Sequence, residues 1–139
     1  MAKMQNTGSN TPKEWRLLAE GDLSVAEHLT ATMFPIPVAA IAFHCQQAAE
    51  KYLKGALSIL GEDPPYIHDL PELCKLAEPH CPSFAVISTQ CSIITQFAVQ
   101  PRYDFGLSLS EEDIRLVLSH TKIIRDFLKK ELPELFLDN

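Results

Sequence analysis

Phe43 to Leu57 reads FHCQQAAEKYLKGAL, and the fold turns on this stretch. At about 100° per residue, Ile41, Cys45, Ala48, Ala49, Tyr52, Leu53, Ala56 and Ile59 form a broad apolar face. A face that wide packs a helix into a bundle. His44, Gln47, Lys51, Lys54 and Ser58 fall on one narrow polar stripe. Such a stripe suits a phosphate or an acidic partner. It also has the composition of an ordinary solvated face.

Helix signals continue on both sides. The central helix runs from about Val38 to Leu60 and stops at Gly61, a C-cap signal. Before it, Thr11-Pro12-Lys13-Glu14 opens a first helix, with a capping box and proline in the first turn. Trp15, Leu18, Ala19, Ala26, Leu29 and Met33 share one face of it. Phe34-Pro35-Ile36-Pro37 ends it, because proline resists helical continuation.

Beyond the central helix, Asp63-Pro64-Pro65-Tyr66-Ile67-His68 reads as a stiff loop. Asp69 with Glu72 caps a short third helix, about Leu70 to Glu78, which Pro79 to Pro82 breaks. A fourth follows, with Phe84, Ile87, Cys91, Ile94 and Ala98 on one seam. Gln100 to Gly106 is irregular. Ser110 with Asp113 caps a fifth helix that carries Ile114, Val117, Ile124 and Leu128 and ends at Pro133. No segment alternates as a half-exposed strand does, and no two-residue hairpin turn is present. These signals predict an all-α, antiparallel up-and-down bundle of about five helices. Residues 1–10 read as a disordered lead-in, 11–133 as the bundle and 134–139 as a loose tail.

A chain of 139 residues suits one domain with its own core. Its net charge of −6 argues against broad, sequence-blind nucleic-acid binding, which needs many phosphate contacts. A small local basic site is compatible with it. No apolar run approaches the about 20 residues of a membrane span. The first residues lack the apolar core of a secretory signal. A cytoplasmic protein is the expectation. Cys45, Cys74, Cys81 and Cys91 show no CxxC spacing and read as free thiols. No cysteine or histidine set has metal-ligand spacing, so neither metal nor cofactor is expected.

Four places break the bundle pattern. Asp22 lies on the apolar side of the first helix, and a buried carboxylate needs a partner. A hydrogen bond to a tyrosine or basic side chain on a neighbouring helix is the plainer reading; anchoring a basic residue at a site is the sharper one. His68 precedes the Asp69 cap and is exposed by default. Arg102 and Tyr103 sit in the irregular segment, where a guanidinium and a phenol can grip a phosphate and stack on a base. Equally, they can cap a helix and fill the bundle end. Arg115 and His120 could perform metal-free RNA cleavage, histidine as acid or base and arginine stabilising charge. Five residues apart on one helix, however, they point about 140° from each other. Arg115 goes with Ser119, Lys122 and Asp126, and His120 with Leu116, Ile123 and Phe127.

Trp15, Asp22-Leu23, Ala26, FHCQQAAEKYLKGAL, Pro64-Pro65 with His68-Asp69-Leu70, and Arg102-Tyr103 together resemble the HEPN domain family. The resemblance runs from about Trp15 to Leu128. It implies a helical bundle that commonly dimerises and often acts beside a minimal nucleotidyltransferase in toxin–antitoxin pairs. It also implies, for many members, a metal-independent ribonuclease with an arginine and a histidine four to six residues apart, meeting across a dimer. Arg115 and His120 have that spacing. The polar residue usual after the arginine is Leu116 here, and the tyrosine some toxins carry two places after the histidine is Lys122. The chain looks more like the branch with Arg-Tyr before the last helix.

The first expectation is therefore a binding module for a nucleotide or a nucleotidyltransferase partner, one half of a two-component system. Its site would combine His44, Gln47, Lys51, Lys54, His68, Arg102 and Tyr103. The second is a ribonuclease toxin acting on RNA through Arg115 and His120 across a dimer. A structural dimerisation role is the third. A homodimer is expected, because the second and last helices carry more apolar surface than one small bundle covers.

Overall fold

Thr11, Asp69 and Ser110 each accept a hydrogen bond from the backbone N–H three residues on, so short-range chemistry opens three of the helices. At Thr11 and Ser110 the capping box is complete, with Glu14 and Asp113 accepting from the cap's own N–H. The structure is a computed structural model, and it describes residues 10–99 and 109–138. Its α-helices are α1 (Pro12–Thr32), α2 (Val38–Ile59), α3 (Leu70–Ala77), α4 (Ser88–Val99) and α5 (Glu111–Glu131). Among the described residues there are also two 3-10 turns, Pro82–Ile87 and Pro133–Phe136. The five helices are the expected all-α bundle, with no strand among the described residues.

α2 stops where glycine permits it. Gly61 has φ +88°, and the N–H groups of Gly61 and Glu62 return to the carbonyls of Ser58 and Leu57. This is the Schellman arrangement, in which a left-handed residue satisfies the last carbonyls. The chain then reverses through residues 60–69 into α3.

α2 is the axis of the bundle. Ile41, Cys45, Ala48, Ala49, Tyr52, Leu53, Ala56 and Leu57 are all buried, and α1, α3, α4 and α5 pack around them. Small residues let α1 approach closely. A Cβ at Gly55 would meet Trp15 Cβ at 3.1 Å and Leu135 Cδ1 at 3.0 Å.

Two details differ from the sequence reading. The buried seam of α1 is Ala19, Leu23 and Ala26, while Leu18 and Met33 are about half exposed. The helix is rotated relative to the stripe of Trp15 and Met33, which moves Asp22 to the rim of the core. The last residues are also packed, not loose. Leu135 is buried, and Asp138 pairs with the buried Arg16, which also holds Glu20. A charged arginine stem laid along the core needs such partners.

The four cysteines are free. Cys45, Cys74 and Cys91 are buried and Cys81 is half-buried. Burial pushes the Cys45 thiol up to about 11. The buried Tyr52 hydroxyl also moves upward, chiefly by desolvation. Among the described residues no helix is long and apolar enough to cross a membrane. None of them forms a His, Cys, Asp or Glu group that could hold a metal ion. Cys74 points at the Phe84 carbonyl, and His80 is bonded to Glu62.

Candidate functional site

Two carboxylates organise the polar sector of α2. The first is Asp22, delivered from α1. His44 Nδ1 donates to its Oδ1 at 2.9 Å, and Lys51 Nζ donates to its Oδ2 at 2.7 Å. Asp22 is 15% exposed, His44 28% and Lys51 23%. The helical repeat explains the arrangement. His44 and Lys51 stand two turns apart on one face, and an aspartate on the neighbouring helix fits between them.

This geometry leaves functional atoms free. A carboxylate can only accept, so His44 carries its proton on Nδ1. Its Nε2 is then an acceptor when the ring is neutral and a donor when it is charged. An ammonium has three N–H groups, and Lys51 commits one to Asp22. Gln47, half-buried, lies between His44 and Lys51 along the stripe.

The second carboxylate is Glu50, on α2 itself. Its Oε2 lies 3.1 Å from Lys54 Nζ and accepts from His68 Nδ1 at 2.9 Å. The Glu50 and Lys54 side chains are only 6% and 5% exposed, whereas His68 is 69% exposed. Gln46 Nε2 donates to the His68 carbonyl at 3.0 Å. Together Gln46 and Glu50 strap the loop before α3 onto α2. Lys54 also lies 5.6 Å from the Trp15 ring centroid and 5.9 Å from that of Tyr66, within cation–π range. Glu50 Oε1, Gln46 Oε1 and Trp15 Nε1 are buried without a partner among the described residues. Unsatisfied polar atoms in a core are costly.

The stripe read from the sequence is thus divided between two carboxylates. His44 and Lys51 face Asp22 and reach solvent; Lys54 turns inward to Glu50. His68 joins through Glu50. Sequence reasoning missed Glu50 and Gln46. The available signal was Gln46, Glu50 and Lys54 at four-residue spacing, a single helical row. Arg102 and Tyr103 lie outside the described residues.

Arg115 and His120 occupy α5, as two separate environments. The Arg115 side chain is 59% exposed, with Glu111 at 3.7 Å. It lines an open depression of about 400 Å³ with Leu118, Ser119, Lys122, Ile123 and Asp126. His120 is half-buried and lies outside that lining, its Nδ1 buried without a partner among the described residues. The two do not converge within one chain.

The HEPN domain family model matches residues 12–132. That span contains both carboxylate clusters and the Arg115 depression. Comparison with curated proteins and with solved structures yields no match.

Proposed function

The chain belongs to the HEPN domain family, and we propose that it is a binding module whose site is the Asp22-held pair His44 and Lys51, with Gln47 between them. The family is associated with ribonuclease toxins and with nucleotide-related roles. The single observation that carries the binding reading is the Asp22 bridge. One carboxylate from α1 fixes two basic side chains of α2, and each keeps unspent hydrogen-bonding capacity near solvent.

The chemistry selects the ligand class. Lys51 has two free N–H donors, Gln47 an amide, and His44 a ring nitrogen that changes role with protonation. Asp22 cancels the charge of Lys51, so the site acts by placed donors more than by a strong field. Phosphate oxygens and base edges of a nucleotide satisfy such a set. So does an acidic surface of a small nucleotidyltransferase. We place the protein in the cytoplasm as one half of a two-component, toxin–antitoxin-like pair.

Lys54 has a supporting part in this proposal. It holds Glu50, and through Glu50 and His68 it fixes the loop beside the site. The ribonuclease alternative rests on Arg115 and His120, which one chain keeps apart.

The test is a calorimetric titration of ATP, and separately of a co-expressed minimal nucleotidyltransferase, against wild type, Lys51→Ala and His120→Ala. Each charge-assisted contact is worth about 1.5–3 kcal/mol, so Lys51→Ala weakens binding roughly tenfold or more. His120→Ala leaves it unchanged. RNA cleavage by wild type that disappears in His120→Ala would overturn the proposal.

A further inference from the structure

Two thiols meet in the core, away from the polar sector of α2. In α3, Leu70, Leu73, Cys74 and Ala77 recur at helical spacing and are all buried. Ile87, Cys91 and Ile94 form a second buried seam that runs into α4. The two helices pack against each other, with Cys74 1% exposed and Cys91 0%. Cys91 hydrogen-bonds the Cys74 sulfur. Cys74 Sγ in turn donates to the Phe84 carbonyl at 3.2 Å, on the 3-10 turn Pro82–Ile87 that joins the helices.

A buried cysteine is ordinarily a small apolar filler with an inert thiol. Cys45 behaves in this way: burial pushes its thiol up to about 11, even with Thr121 as a hydrogen-bond partner. Cys74 departs from that behaviour. The hydrogen bond from Cys91 favours its thiolate and outweighs burial, so its thiol is held below the ordinary value. The Cys91 thiol goes up, because it gives that hydrogen bond and is buried. One sulfur is thus inclined to attack, and the other keeps its proton beside it. An attacking and a resolving thiol divide their work in the same way.

We propose that Cys74 and Cys91 form a reversible disulfide when the protein meets a peroxide, a staple between α3 and α4 that the reduced bundle holds ready. The inference goes beyond the binding site on α2 and does not depend on it. The Cys74 sulfur attacks one oxygen of hydrogen peroxide. The S–O bond forms, the O–O bond breaks, and the departing hydroxide takes the Cys74 proton and leaves as water. The Cys91 sulfur then attacks the Cys74 sulfenic acid. The S–S bond forms, the S–O bond breaks, and the hydroxyl leaves as a second water with the Cys91 proton. Two thiols lose two electrons in all, and one peroxide is reduced to two waters. Peroxide is small and uncharged, so a brief opening of the turn that touches Cys74 admits it, while a bulky aromatic disulfide stays out. The bond closes the chain from residue 74 to residue 91, a loop of about 18 residues, and so restrains the unfolded chain. A thiol reductant restores the pair by exchange.

The test treats wild type, Cys74→Ser and Cys91→Ser with hydrogen peroxide, alkylates the remaining thiols in denaturant and maps the linkages by mass spectrometry. Circular dichroism shows that each protein is folded. Wild type is expected to lose two hydrogens at a Cys74–Cys91 linkage, and a thiol reductant returns them. The oxidised wild type melts about 10 °C higher than the reduced form. Neither serine variant gains this stability. Cys91→Ser stops Cys74 at the sulfenic acid, which dimedone traps, whereas Cys74→Ser leaves Cys91 a thiol. Where a variant fails to fold, the wild-type map and melting curve decide alone. Three results would each overturn the proposal: a folded wild type that keeps both thiols, a linkage through Cys81 in place of the Cys74–Cys91 bond, or an oxidised form that melts no higher than the reduced one.

Discussion

Lys54→Met isolates the buried half of the polar sector. The substitution keeps an unbranched stem against Trp15 and removes only the ammonium. Glu50 and Lys54 are 6% and 5% exposed, and their charged atoms are 3.1 Å apart. Removing one partner of a buried pair costs about 3–5 kcal/mol, because the other charge stays buried. Here His68 remains on the same Glu50 oxygen at 2.9 Å, and its ring is 69% exposed. It keeps part of the compensation, so the lower end, about 3 kcal/mol, is expected. With a urea m-value of about 1.5 kcal/mol/M, the unfolding midpoint falls by about 2 M. The pair Glu50→Leu with Lys54→Met removes both desolvation penalties and should recover most of the loss. Equilibrium urea unfolding of wild type, both single variants and the double variant closes the cycle. A Lys54→Met midpoint within about 0.5 M of wild type would show that the buried pair does not carry this stability. So would a double variant less stable than both singles.

Other outcomes follow from the packing. Gly55→Ala gains about 1 kcal/mol of helix propensity but places a Cβ 3.1 Å from Trp15 Cβ. Because that atom is fixed to the backbone of α1, net destabilisation is expected by thermal melting. A higher melting temperature would show that α1 yields. Ser110→Ala breaks a complete capping box and should cost about 1 kcal/mol in urea unfolding. Among the thiols, Cys81 should react quickly with a chromogenic disulfide reagent, while the buried Cys45, Cys74 and Cys91 wait for unfolding. The Cys45 thiol is raised from 9.0 to about 11, so the folded state holds its proton more tightly than the unfolded state. That stability is fully present below about pH 9 and is lost as pH rises to about 11, at no more than about 1.4 kcal/mol per pH unit. Cys45→Ala should flatten this part of the alkaline stability profile.

Much of the fold was legible because its signals are local. Thr11 with Glu14, Asp69 with Glu72, Ser110 with Asp113, and Gly61 each act within a few residues, so they read directly as helix ends. The direction in which α1 faces is different. Trp15 through Met33 defines an apolar stripe, but the core-facing seam is Ala19, Leu23 and Ala26, where the two alanines leave room for α2 to approach. That choice belongs to the partner helix.

The site was legible in the same uneven way. His44 and Lys51 announce themselves on a polar stripe, and Asp22 stands out as a carboxylate on an apolar side. Glu50 looks like any solvated glutamate four residues before a lysine. It is buried where the loop from Glu62 to Asp69 folds back onto α2, with His68 bonded to it. Arg16 and Leu135 were hidden for a similar reason. The last turn docks across the start of α1, a contact more than a hundred residues apart along the chain.

Binding at the Asp22-held pair His44 and Lys51 is tested most directly by amide and side-chain NMR shifts as ATP is added to isotope-labelled protein. Saturable shifts are expected at Asp22, at His44 through Lys51 and in the imidazole of His44, all lost in Lys51→Ala. Shifts confined to Arg115 through Asp126, with residues 44–51 unmoved, would contradict binding at this pair.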